Sequence, residues 1–117
     1  MLLCLMLTCV SCTSPSDIEG QWQLVQYCYG NDCVLLSDHN IKQMWTFADS
    51  GKGCQVQEGV MDNEIRWSLS AEKDTLFTSM MDGSNADTLF VSYFEADTLE
   101  LSSLLNNILV RQRFVRI

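Results

Sequence analysis

The sequence predicts an all-β fold, an eight-stranded antiparallel up-and-down β-barrel, and three observations carry that prediction. Beyond position 17 the chain alternates apolar and polar residues with period two. Turn-forming clusters interrupt the alternation about every ten positions, and β-branched and aromatic residues fill the segments between them. After residue 42 the chain has almost none of the long crossing connections that a sandwich needs, whereas closing a sheet on itself removes its exposed edges. A length of 117 residues allows one domain with one modest core.

Eight segments follow in order. IEGQWQLVQYCY (18–29) sets Gly20, Trp22 and Leu24 against Gln21, Gln23 and Val25. QMWTF (43–47) precedes the turn ADSGKG, and CQVQEGV (54–60) alternates Val56 and Val60 with Gln55 and Gln57. Asp62-Asn63 turns the chain into EIRWSLS (64–70), where Ile65, Trp67 and Leu69 share one face. TLFTSMM (75–81), TLFVSYFE (88–95), TLELSSLL (98–105) and ILVRQRFVRI (108–117) complete the set. One stretch, VLLSDHNIKQ (34–43), fits no strand, and Ser37 or Asp38 is placed to cap a single helical turn.

The tripeptide Asp-Thr-Leu occurs three times, at residues 74–76, 87–89 and 97–99. Each copy stands where one strand ends and the next begins. Asp favours turns because its carboxylate accepts from nearby backbone N–H groups, and Thr and Leu open extended structure. The three carboxylates are therefore expected at successive hairpin ends, spread around a rim, as architecture rather than as a ligand set.

Residues 1–17 are a different material. MLLCLMLTCVSC is uncharged and rich in Leu and Met, too short to span a bilayer but matched to the apolar core of a signal peptide. Ser11 before Cys12, with Leu7 upstream, resembles the bacterial lipoprotein signal, in which the cysteine is lipidated. Cys12 is thus the expected lipidation site, by palmitate-type acylation, and a lipid anchor in a bacterial cell envelope the expected localisation. Residues 1–17 are then signal peptide and linker, and 18–117 the barrel domain. No Lys or Arg precedes the apolar run, a departure from the signal pattern that is consistent with a true start upstream of Met1.

Of the other cysteines, Cys28 and Cys33 flank the turn Gly30-Asn31-Asp32 and are expected to form a disulfide in an oxidising compartment. Cys54 is then free. A metal site has too few ligands, with one His, His39, in the chain. The balance of 15 acidic to 7 basic residues, net charge −8, argues against a nucleic-acid partner. Catalysis and cofactors are not expected. His39 stands alone in a polar loop, Glu95 and Asp97 lie in a turn, and the glycines of Gly51-x-Gly53 and Gly83 open no phosphate loop onto a helix.

Gly20-Gln21-Trp22 on the first of eight strands resembles the lipocalin (calycin) signature. In that family the Trp closes the lower end of the barrel and an Arg of the last strand packs across its indole, a role that falls here to Arg116, with Arg113 the second match. The leader, IEGQWQLV, MWTFADSGKG, the W-x-L strand and DTLELS together resemble small lipocalin-like lipoproteins of Bacteroidota. The resemblance implies binding of a small apolar or amphipathic ligand, with Trp45, Phe47, Trp67, Leu69 and Tyr93 as candidate contacts. The alternative is that these same side chains fill the barrel. The protein would then be an interaction module, with a protein partner the sequence does not name.

Overall fold

The computed structural model describes residues 18–117. Cys12 and the export segment around it lie outside the described residues. Nine strands occur: β1 (Gly20–Tyr29), β2 (Asp32–Leu35), β3 (Gln43–Phe47), β4 (Lys52–Gln57), β5 (Met61–Leu69), β6 (Thr75–Met80), β7 (Asp87–Glu95), β8 (Thr98–Leu105) and β9 (Ile108–Arg116). From β3 onward each strand pairs antiparallel with the next, β1 pairs with β3, and β9 returns to β1. Eight of the nine, β1 and β3 to β9, close an up-and-down barrel, as the patterning predicts.

The ninth, β2, is an addition. It lies antiparallel beside Gln26–Tyr29 of β1, whereas β3 takes the other half, Gly20–Leu24. A bulge at Val25, between Leu24 and Gln26, falls where β1 changes partner. All four residues of β2 are exposed, so it has no buried face to impose an apolar–polar alternation on its sequence. The Cys28–Cys33 disulfide holds it to β1 directly across the turn. A single 3-10 turn follows at Leu36–His39. Leu35 occupies its N-cap without a side-chain hydrogen bond, so neither Ser37 nor Asp38 caps it. The turn ends at Asn40 in the left-handed conformation, which Asn tolerates better than most residues.

The barrel has two distinct ends. The lower end carries Ile18, the start of β1, the end of β9 and the turns after β3, β5 and β7. The upper end carries the 3-10 turn and the turns after β1, β4, β6 and β8. The Asp-Thr-Leu copies divide between them, which corrects the expectation of a single rim: Asp74 and Asp97 lie at the lower end and Asp87 at the upper. An up-and-down chain reverses at every turn, so successive turns alternate ends. All three Asp residues are exposed, and their Leu partners, Leu76, Leu89 and Leu99, are buried in the core. Each copy thus takes the chain from a solvated turn to a core position in two residues.

One inward candidate is corrected. Tyr93 is exposed, because β7 bulges at Ser92: Val91 stands opposite Leu101, but Tyr93 stands opposite Glu100 and Phe94 opposite Leu99. An extra residue exchanges the faces of everything after it. Phe94 packs against the core in the place that strict alternation gives to Tyr93.

Candidate functional site

Directly opposite residues of an antiparallel pair share a face, so the register and a few buried residues assign the whole barrel interior. At the lower end Trp22 stands opposite both Trp45 and Arg116. The Trp22 indole is fully buried and donates from Nε1 to the Ile18 carbonyl at 2.9 Å. The Arg116 guanidinium lies 4.2 Å from the centre of that ring. Its Nε donates to the Ala96 carbonyl and its Nη1 to the Glu19 carbonyl, each at 2.7 Å. Gly20 explains itself here. Its φ is +127°, and a Cβ would come within 2.6 Å of Arg116 Nη1. Glycine therefore makes room for the guanidinium that covers Trp22. Arg113, the second match, faces outward, pairs with Glu100 at 3.1 Å and sits over Tyr93.

Around this closure the interior fills with rings. Phe47 packs edge-on against Trp67 at 5.4 Å and Trp45 at 6.1 Å, Trp45 tilts against Phe114 at 5.0 Å, and Phe94 meets Trp22 at 6.2 Å. Such pairs each add about 0.5–1.5 kcal/mol beyond their buried area. Trp67 Nε1 is shared between the Ala48 and Lys52 carbonyls at the β3–β4 turn. Leu69 packs against the same cluster. Of the residues expected to contact a ligand, Trp45, Phe47, Trp67 and Leu69 are thus brought together in one apolar mass, and Tyr93 is left outside. The hydrogen bond of its hydroxyl to the Glu95 carboxylate, reinforced by that charge, pushes the Tyr93 hydroxyl above the usual phenol range.

The upper half of the interior is different. Gln43 stands opposite Leu24 of the core, Gln57 opposite Gln43, Gln55 opposite Trp45, and Asn63 opposite Gln55. Four amides on β3, β4 and β5 therefore face inward, and Val56, opposite Met44, faces out. From β9, Gln112 joins them, opposite the core residue Leu101 and opposite Tyr27, which packs on the core. Apart from Arg116 at the lower end, no inward-facing residue of these four strands is charged, among the described residues. Two buried polar atoms of the inward face have no hydrogen-bond partner: the donor Trp45 Nε1 and the acceptor Gln112 Oε1. An unpaired buried polar group costs about 1–3 kcal/mol.

A cleft of about 360 Å³ opens where β1 leaves β3 for β2. Gln23, Leu24 and Val25 line one side, and Leu36, Ser37, Asn40, Ile41 and Lys42 the other. Leu24 and Leu36 also belong to the core, so the cleft reaches the wall of the upper interior. The sequence carries no sign of the amide-lined face, because glutamine alternating with valine reads as an ordinary half-buried strand.

The remaining candidates stay apart. His39 is exposed in the 3-10 turn, and Glu95 and Asp97 are exposed at the lower end. Among the described residues no group of three or more His, Cys, Asp or Glu side chains is placed to hold a metal ion, and no helix is long and apolar enough to cross a membrane. No protein-family model, curated protein or solved structure matches this chain at a significant level.

Proposed function

We propose that this protein is a non-catalytic, lipocalin-like lipoprotein of the bacterial envelope that binds a small amphipathic molecule in the upper half of its barrel. The observation that carries the reading is the change of the inward face from rings to amides, together with an unpaired buried donor on Trp45 and an unpaired buried acceptor on Gln112. Small ligand sites combine apolar walls with a few convergent polar groups. The Trp22–Arg116 closure blocks the lower end, which leaves the upper mouth or the cleft at Val25 for entry. Lipidation of Cys12 would anchor the chain six positions before Ile18, so an extended tether of at most about 20 Å would hold the closed end near the membrane and the mouth away from it.

A second reading has its own observation. Val34, Leu35, Leu104, Leu105, Ile108 and Leu109 are exposed on the β1–β2 and β8–β9 hairpins. Those hairpins touch at their tips, where Gly30 N–H donates to the Leu109 carbonyl at 2.8 Å. A cluster of exposed aliphatic residues marks protein contact more often than chance. Native mass spectrometry of the protein taken from its own host separates the two. A small-molecule adduct on the folded chain supports ligand binding, a bound second protein supports the interaction module, and a bare chain refutes both.

A further inference from the structure

We infer that the upper interior is a site for a neutral, hydroxyl- or amide-bearing small molecule of the sugar class, and not for a fatty acid. The inference rests on the ligand-binding reading above and gives that ligand its chemistry. It follows from what the inward-facing amides of Gln43, Gln55, Gln57, Asn63 and Gln112 accept and reject.

An apolar tail laid against these amides would strip their water and return no hydrogen bond, a loss incurred at each group. An anionic ligand fares no better, since no inward-facing residue on β3, β4, β5 or the upper part of β9 offers a positive charge. Asp87 of β7, opposite the inward Thr78, is itself acidic. A neutral polyol meets neither penalty. Each amide offers a donor and an acceptor, and hydroxyl groups supply both in return. The two unpaired atoms ask for the same complement: Trp45 Nε1 needs an acceptor and Gln112 Oε1 a donor. A sugar, above all an acetamido sugar, carries both. Trp45, 6% exposed and tilted against Phe114, stands opposite Gln55, so an aromatic ring borders the amides. Four of the amides come from three adjacent strands, with Gln112 on β9 across β1, so the polar groups flank β1 on both sides.

The test titrates the intact chain with a panel of neutral sugars, N-acetylglucosamine and N,N′-diacetylchitobiose among them, and in parallel with laurate. Tryptophan fluorescence and saturation-transfer NMR report binding. Saturable binding of at least one sugar is expected. Trp45→Phe keeps a ring and removes the N–H, and Gln112→Met keeps the length and removes the amide. Each should weaken that binding about two- to tenfold, the size of one neutral hydrogen bond. Gln55→Met, at a half-buried position, should do the same if either of the others folds poorly. Laurate binding with no sugar binding overturns the inference and leaves the ligand-binding reading standing. Failure of both ligands overturns the two together. Sugar binding that all three variants leave unchanged places the site elsewhere and overturns the assignment.

Discussion

Cutting the barrel closure at Trp22 and Arg116 gives the sharpest measure of what holds the first and last strands together. Trp22 is fully buried, so Trp22→Ala removes a complete indole from a packed site and should cost about 3–5 kcal/mol. Arg116→Ala removes a guanidinium 4.2 Å from the ring centre, together with two hydrogen bonds to carbonyls. A desolvated cation–π contact is worth about 1–2 kcal/mol, and hydrogen bonds from a charged donor about 1.5–3 kcal/mol each. Arg116 is only partly buried, and water replaces much of this, so a net cost of about 2–3 kcal/mol is expected. Because the two groups touch, the double mutant should fall short of the sum by about 1 kcal/mol. Urea unfolding of the four proteins, followed by circular dichroism, measures each term. Where Trp22→Ala takes too much of a typical 5–15 kcal/mol total, Trp22→Phe in the same cycle keeps a ring and loses the bond to the Ile18 carbonyl. Strictly additive effects, or an Arg116→Ala cost under about 0.5 kcal/mol, would refute the claim that this pair closes the barrel.

Gly20→Ala should destabilise by about 1–3 kcal/mol, from a positive φ and a collision with Arg116 Nη1, and Arg116→Ala in the same chain should relieve the steric part in urea unfolding. Thiol counting on denatured, unreduced protein lacking residues 1–17 should find one free cysteine, Cys54, and three free thiols would show that Cys28 and Cys33 are not bridged. Reducing that bridge should cost near the low end of about 2–4 kcal/mol, because the loop it closes is short. The Ser84 hydroxyl, and after it the Ser84 backbone N–H, donate to Asp82 and hold its carboxyl below the ordinary value. A lowered folded pKa stabilises the fold above the ordinary carboxylate range and loses that contribution as pH falls through the folded pKa. Carboxyl-carbon NMR should therefore show Asp82 titrating at higher pH in Ser84→Ala than in the parent.

The sequence by itself determined the fold class and the number of barrel strands, because a buried face writes a period of two into every strand that has one. It placed at Asp62-Asn63 a turn that falls at 58–60, and both residues lie inside β5. The lower closure was legible only through the resemblance of Gly20-Gln21-Trp22 to the lipocalin signature, which assigned its partner to Arg116 of the last strand. β2 left no such trace, since all four of its residues face solvent. Tyr93 misled for a related reason. The bulge at Ser92 is set by how β7 pairs with β8, and alternation along one strand cannot register a slip against its neighbour. The amide face was hidden most completely. Which side of β4 points inward depends on the pairing of Gln55 with Trp45 and of Gly53 with Phe47, not on the hydropathy of Val56. Gly53 belongs to that same decision, for a Cβ there would collide with the Thr46 carbonyl oxygen of the neighbouring strand. Local pattern can mark that a strand has two faces. Only the neighbouring strands, through their hydrogen-bond register, choose which one lines the interior, and that choice turns an unremarkable run of glutamines into the polar half of the barrel.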